Sequence, residues 1–432
     1  MVDKLLGKHI GLSIQRMLNQ EMGELGMSVY KKQCAELNIK PEDVKPGDLV
    51  VLSQRMIRAL RPTMGDDRAS KIGKEILKFK ILAELEALSS KPGDPLRERK
   101  ELDAYAKLGT ICYTIGDWDD SLEYYSKVIK LGKAHGDLLK VAEAHRNIGH
   151  ICKRRSNWDE AIDHFNHGIA LSRKVGHPIG IADALAGLGY VYWRRGEYSE
   201  AESHLGMALK VAEESRDKAT IGVIHIEFGL VYSDTGNLDK AIEHYRSAIE
   251  LLEAVKDQQQ LSRAFNNLGD IYLQKDDWKS AITCFDQCKK AAGTINHRMM
   301  IAWSLFNSGE AYARLGKPDE TIKRCTESLE ILLQLNDLVG MSAAYRDLGL
   351  AHRLKKDWEN SEKCFRQSED VLKKINSPFN NAHLAMEWGE MLLNKGEKKR
   401  GRELLGRAVE TFKTIGAKKY LEKAERTLSA VA

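Results

Sequence analysis

Several features are scarce in this sequence, and each scarcity excludes a class of protein. Eight prolines among 432 residues leave room for long helices. No stretch of about 18 consecutive apolar residues occurs, so the sequence predicts no membrane-spanning helix. The 67 basic and 62 acidic side chains give a net charge of only +5, unlike a dedicated nucleic-acid-binding protein.

The seven cysteines are scattered and form no CxxC pair. Because their number is odd, we expect buried free thiols in a reducing compartment. Lys8, His9, Gln15 and Arg16 interrupt the N-terminal residues, so no apolar core of a signal peptide is present there. The composition therefore predicts a folded, soluble protein located in the cytoplasm.

A glycine recurs every 40 residues through most of the chain. Its eight positions are Gly109, Gly149, Gly189, Gly229, Gly269, Gly309, Gly349 and Gly389. Seven of these glycines follow a large apolar residue, and Ser308 is the exception. A repeat of this length predicts stacked supersecondary units rather than one globular core.

Seven residues after each repeat glycine, the chain is expected to turn. Five of these positions hold a second glycine, and the other three hold Ser156, Asp276 and Lys356. Because glycine readily adopts the positive φ that ends a helix, one helix is predicted to end here. The polar residues expected to cap the following helix are Asp117, Asn157, Glu197, Asn237, Asp277 and Asp357. Each repeat is thus predicted to contain a helix A and a helix B, at about 138–154 and 158–174 in the second repeat.

The repeat carries a fixed order of large and small residues. In the fifth repeat these residues are Leu268, Gly269, Tyr272, Ala281, Phe285 and Cys288. This order resembles the tetratricopeptide repeat, and the 40-residue length resembles Pins-type and MalT-type proteins and, more distantly, kinesin light chains. The resemblance implies an all-α, right-handed superhelix of eight helix-turn-helix repeats.

The repeats are expected to occupy only part of the chain. Residues 1–89 carry three apolar stripes at helical spacing and predict a small helical domain, followed by a linker at 90–97. The stretch ELNIKPEDVKPGDL in this domain resembles short helical modules of archaeal signalling proteins. The repeats are predicted to span 98–415, and an amphipathic helix at 416–432 is expected to cap the open end.

No recognisable catalytic motif is present. Gly187 and Gly189 begin a dinucleotide-binding pattern, but the third glycine is missing and the segment is predicted to be helical. Cys284 and Cys288 have the spacing of metal ligands on a helix, although Cys288 stands where the repeat needs a small packing residue. The histidines show no metal-binding spacing. The sequence therefore predicts no enzyme, no cofactor and no metal.

The resemblance implies that helix A lines a concave groove. The exposed groove positions lie two and three residues before the repeat glycine and one, four and five residues after it. The partner-binding residues predicted from these positions are Arg146, Asn147, His150, Lys153, Arg154, Tyr190, Trp193, Arg194, Glu227, Asp234, Asn266, Asn267, Asp270, Phe306, Asn307, Glu310, Arg314, Arg346 and Arg353. The N-terminal half of this set is basic with aromatic residues, the middle is acidic and rich in amides, and the C-terminal part is mixed.

The predicted function is that of an adaptor that binds a segment of a partner protein in this groove. The partner is expected to bring acidic groups to the basic half. Asn147, Asn267 and Asn307 share one repeat position, and the Pins-type resemblance implies that such asparagines clamp the backbone of a partner; alternatively, they satisfy a neighbouring helix. Two other functions stay open: a sensory module that binds a peptide or a small ligand, as the MalT-type resemblance suggests, and RNA binding.

Overall fold

The computed structural model describes residues 10–64, 66–89 and 96–430, and these residues form twenty α-helices and no strand. The helices are α1 (Ile10–Glu36), α2 (Leu49–Met64), α3 (Asp66–Ser89), α4 (Arg97–Ile115), α5 (Trp118–His135), α6 (Leu138–Arg154), α7 (Trp158–Val175), α8 (Pro178–Arg194), α9 (Tyr198–Ser215), α10 (Lys218–Asp234), α11 (Leu238–Val255), α12 (Gln258–Gln274), α13 (Trp278–Thr294), α14 (Arg298–Arg314), α15 (Pro318–Leu335), α16 (Leu338–Leu354), α17 (Trp358–Leu372), α18 (Pro378–Lys395), α19 (Lys398–Ile415) and α20 (Lys418–Ser429). A short 3₁₀-helix, Pro46–Asp48, precedes α2. Among the described residues, no helix combines the length and the apolar composition needed to cross a bilayer.

The chain divides into two compact units, Met1–Asn237 and Leu238–Ala432. Helices α1 to α10 belong to the first unit, and α11 to α20 belong to the second.

The helices before the repeats bury the three predicted apolar stripes in one core. Ile14 of α1, Leu52 and Met56 of α2, and Ile76 of α3 are fully buried there. The C-terminal half of α3 packs instead against α4, where Ile81 and Leu108 share a second apolar cluster. Helix α3 therefore contributes to both apolar clusters.

Helices α4 to α19 form eight successive A and B pairs, which confirms the predicted fold class. The second pair, α6 and α7, has the predicted bounds to within one residue. In seven pairs the two helices pack against each other, and the unit boundary falls within the fourth pair. The turn between A and B has positive φ at Gly116 and also at Ser156, Asp276 and Lys356, so the turn geometry persists where glycine is replaced.

The predicted helix caps are only partly correct. Asp277 and Asp357 accept a hydrogen bond from the backbone three residues later, as expected. Asp117, Asn157 and Glu197 make no such bond, and the prediction for these three was wrong. The side chains of these three residues bond elsewhere: Asp117 accepts from Lys78, Asn157 donates to Glu160, and Glu197 pairs with Arg195.

The repeat glycines lie where helix A approaches helix B most closely. A methyl group at Gly149 would lie 2.8 Å from the Phe165 ring, and one at Gly269 would lie 2.5 Å from the Phe285 ring. The hydroxyl of Ser121 in α5 also donates a hydrogen bond of 2.8 Å to the carbonyl of Gly109 in α4. The small residues therefore set the distance between the two helices. All seven cysteines are buried free thiols, as expected.

Candidate binding surfaces on the inner helices

Helices A form the inner layer of each unit. In the first unit, α4 contacts α6, α6 contacts α8, and α8 contacts α10. In the second unit, α12 contacts α14, α14 contacts α16, and α16 contacts α18. Among the residues that the structure describes, successive helices B contact each other less. When a stack of helix pairs bends, the layer whose helices lie closer together is on the inside of the bend. Helices A therefore form the concave side of each unit.

Cationic and aromatic side chains lie together on the inner layer of the first unit. The Lys153 ammonium lies 4.5 Å from the centre of the Tyr190 ring, and the Arg194 guanidinium lies 5.5 Å from that of Trp193. The Tyr190 and Trp193 rings meet edge to face at 5.2 Å. We call Arg146, Lys153, Tyr190, Trp193 and Arg194 the basic-aromatic surface.

Asp183 holds two of the predicted residues in place. Its carboxylate accepts a hydrogen bond from His150 Nε2 at 2.9 Å and lies 3.1 Å from Arg146 Nε. Burial opposes ionisation of Asp183, but the charges of His150 and Arg146 hold its pKa well below the usual range. Sequence reasoning missed Asp183 because it lies six residues before Gly189, outside the groove positions considered.

Two further pairs continue this surface along the first unit. Arg154 Nε donates to the Tyr113 hydroxyl at 3.0 Å, and Trp193 Nε1 donates to Asp234 at 2.8 Å. These partners lie 41 residues apart, so each pair joins equivalent turns of neighbouring helices A. The basic character of this surface is therefore reduced, but not removed, by Asp183 and Asp234.

The exposure predicted for three groove residues is wrong. Glu227, Asn266 and Arg346 are each less than a tenth exposed. The prediction assumed that groove positions have no packing role. Helices A approach one another closely enough for these side chains to pack between them. Tyr190, Trp193 and Phe306 are half-buried rather than exposed.

A buried ionic network fills the inner layer of the second unit. Glu310 accepts from Arg346 at 2.8 Å, and Arg346 also bonds to the neighbouring Asp347. Glu387, which is fully buried, accepts from Arg314 at 2.7 Å and lies 3.2 Å from Arg353. We call these six residues the buried ionic network.

The network connects helices that are two repeats apart. Arg314 belongs to α14 and Glu387 to α18, so this ion pair passes over α16. The charged groups of α14, α16 and α18 thus meet on the inner layer of the second unit. Burial alone would keep Glu387 protonated, but Arg314 and its basic neighbours hold its pKa well below the usual range.

The last helix, α20, packs on α18 and α19 and extends along the inner layer of the second unit. Lys423 of α20 bonds to Glu387 at 3.2 Å, and Lys419 donates to Asp276 at 2.9 Å, just beyond the end of α12. A cleft of about 700 Å³ lies between α20 and helices α12 and α14. Its polar lining includes Asp270, Asn307, Glu310 and Arg314 of the predicted set.

The amide residues of the predicted set differ in their surroundings. Asn307 Nδ2 lies 3.3 Å from both Asn266 Oδ1 and Asp270 Oδ1. The Asn147 amide lies near the hydroxyl of Tyr125 in the preceding helix B. Asn267 is half-buried on α12. Burial, followed by the charge of Glu310, raises the pKa of Asp270 to about 7.

One group of ligand-type side chains, Cys112, Asp117 and Asp120, comes together in the first unit. Lys78 of α3 already lies among them, with its ammonium 3.1 Å from Asp117 and 2.6 Å from Asp120. The pKa of Cys112 is raised to about 11, first by burial, which keeps the thiol protonated. This group is therefore an ion pair between α3 and α5.

Comparison with known proteins identifies the repeat. The tetratricopeptide repeat model matches residues 100–174, 140–214, 220–292 and 299–374. No curated protein matches the sequence.

Several solved structures share the fold at low identity. A signal-transduction ATPase with numerous domains and a tetratricopeptide repeat sensor, PH0952 from Pyrococcus horikoshii, is 13% identical with a TM-score of 0.58, over 89% of this chain and 65% of that chain. Aspartyl phosphate phosphatase F from Bacillus subtilis is 13% identical with a TM-score of 0.52, over 85% and 93%. The apo quorum sensor NprR from B. thuringiensis is 16% identical with a TM-score of 0.50, over 76% and 96%.

Proposed function

This chain belongs to the tetratricopeptide repeat family, and we propose that it is an adaptor that binds an acidic segment of a partner protein on the inner layer of its first unit. The observation that carries the proposal is the basic-aromatic surface. Tyr190 and Trp193 present ring faces beside Lys153 and Arg194. Aromatic and arginine side chains are enriched where proteins bind one another, and the cations favour acidic partner groups.

The surface is pre-organised for such a segment. Asp183 fixes Arg146 and His150, and Asp234 fixes the indole of Trp193. Side chains that are already ordered lose less conformational entropy on binding. Because Asp183 and Asp234 lower the net positive charge, this surface suits a short acidic segment better than a nucleic-acid backbone. RNA binding would instead show a steep loss of affinity with salt.

The test uses peptides selected from a random displayed library with the full chain as bait. We expect the selected peptides to be rich in Asp and Glu. Replacing Lys153 and Arg194 together by Glu should weaken a selected peptide by about ten-fold or more, because both cations become repulsive. Arg146 is left unchanged because it holds Asp183.

The matched control reverses two cations on helices B of the same unit. Arg173 of α7 and Lys210 of α9 are exposed. The variant R173E/K210E therefore changes the net charge by the same amount as K153E/R194E, but on the outer layer. Isothermal titration calorimetry should give the control nearly the parent affinity. Equal weakening by both double variants would mean that only net charge matters, and the proposed surface would be rejected.

The cleft beside α20 favours a second function, the sensory binding of a polar ligand or peptide by the second unit. Its volume of about 700 Å³ lies within the range of ligand pockets, and its walls offer the Asn307 amide and the Asp270 carboxyl. A ligand found by thermal-shift screening should lose its stabilising effect in D270N. A ligand that stabilises D270N as much as the parent does not bind in this cleft.

The amides provide a separate test of backbone clamping in the second unit. Asn267→Ala should weaken a peptide bound there by about 0.5–1.5 kcal/mol and leave the melting temperature nearly unchanged. Asn307→Ala should also lower the melting temperature, because its amide bonds to Asn266 and Asp270. Loss of stability with unchanged affinity in both variants would assign a structural role to both amides.

A further inference from the structure

Three histidines from both helices of the second repeat lie together in the first unit. His145 belongs to α6, and His164 and His167 belong to α7. The Nδ1 atoms of His145 and His164 are 3.1 Å apart. The His167 ring stacks on His145, with 5.0 Å between centroids and 17° between planes.

The distance between the first two nitrogens matches the spacing of ligands on one metal ion. Zinc binds imidazole nitrogen at about 2.0–2.1 Å in tetrahedral geometry, which places two such nitrogens about 3.3 Å apart. His145 and His164 therefore need little movement to bind one ion. His164 is half-buried, so its ring is confined near this position.

The His167 ring has its free lone pair on Nε2. His167 Nδ1 lies 2.9 Å from the carbonyl oxygen of Asp163, which only accepts, so Nδ1 carries the proton. The Nε2 lone pair is left available. Metal-bound histidines commonly donate their other N–H to a backbone carbonyl in this way. His167 is exposed, and to join the other two rings it must turn out of its present stacking on His145 so that Nε2 approaches their Nδ1 atoms.

His145 is an unusual buried side chain. It is 7% exposed, and its Nε2 makes no hydrogen bond to any residue that the structure describes. Burial, followed by the neighbouring His164 and His167, lowers the pKa of His145 to about 4. Glu160 and Asp163 near His164 favour a cation here, whereas Lys133 near His145 opposes one.

We propose that His145, His164 and His167 form a binding site for a divalent late transition metal, with Zn²⁺ as the first candidate. Three imidazole donors suit Zn²⁺, Cu²⁺ and Ni²⁺ and leave one position for water or an added ligand. The bound ion joins α6 to α7 and stabilises the second repeat. This site does not depend on the partner-binding surface proposed above.

The test titrates Zn²⁺ into the full, reduced chain by calorimetry and Co²⁺ by visible absorption. The parent should bind one ion per chain, with the absorption of a nitrogen-coordinated tetrahedral site. H164Q and H145L should each weaken binding by at least ten-fold. Leucine is chosen at 145 because the equivalent residue of the next repeat is the buried Leu185.

His204 supplies the matched control. It lies 40 residues after His164 at the same repeat position, but its neighbours are Tyr192 and the Glu200 carbonyl rather than other histidines. H204Q should bind Zn²⁺ like the parent, and Zn²⁺ should raise the melting temperature of both but not of H164Q. Absence of a one-to-one site in the parent, or undiminished binding by H164Q, would overturn the proposal.

Discussion

Replacing Glu387 by alanine is expected to lower the free energy of unfolding by about 3–5 kcal/mol, because it leaves buried cations without their partner. Arg314 and Arg353 both lie within 3.2 Å of the fully buried Glu387 carboxylate, and Lys423 of α20 also bonds to it. Removing this carboxylate therefore removes the ionic contacts that join α18 to three other helices, α14, α16 and α20. Calorimetric melting measures the change.

An exposed ion pair in the same unit is the control for this prediction. Asp319 pairs with Lys355 at 2.7 Å, but its side chain is 83% exposed. Asp319→Ala should cost at most about 1 kcal/mol, because water and salt screen an exposed pair. If Glu387→Ala destabilised the chain no more than Asp319→Ala does, the network would have no special role in stability.

Replacing Gly149 by leucine is expected to destabilise the chain by about 1–3 kcal/mol through overpacking. Even its Cβ atom would lie 2.8 Å from the Phe165 ring, so helix A must move away from helix B. Gly206, in the middle of α9, is the control because a Cβ atom there meets nothing within 4 Å. Leucine at Gly206 should stabilise the chain by up to about 1 kcal/mol, since glycine is a poor helix former.

Melting temperatures of the two variants measure this contrast directly. We expect shifts of opposite sign. A neutral effect of Gly149→Leu would show that the repeat glycines are not needed for close packing, and that another property keeps helices A and B together.

The repeat architecture was predictable because it depends on local, periodic features. The glycine at every fortieth position, followed by a turn seven residues later, fixes the bounds of α6 and α7 and of the helix pairs after them. Ser156 and Lys356 form the same positive-φ turn without a glycine. The 40-residue period, and not one residue type, therefore predicts where helix A ends.

The binding surfaces were less predictable because they depend on how neighbouring repeats meet. The sequence places Arg346 at a groove position, but its burial results from Glu310 and His383, which lie 36 and 37 residues away. The cleft depends on α20, which reaches Asp276 across 143 residues. The histidine cluster was missed for the same reason, because His145 and His164 share no metal-binding spacing along the chain.

The measurement that tests the central claim most directly is hydroxyl-radical footprinting of the chain with and without a selected acidic peptide. Tyr190 and Trp193 report on the inner layer of the first unit, and the exposed Tyr198 of α9 reports on the outer helices. The proposed function predicts that the bound peptide protects Tyr190 and Trp193 and leaves Tyr198 unchanged. Protection of Tyr198 with unchanged oxidation of Tyr190 and Trp193 would contradict it.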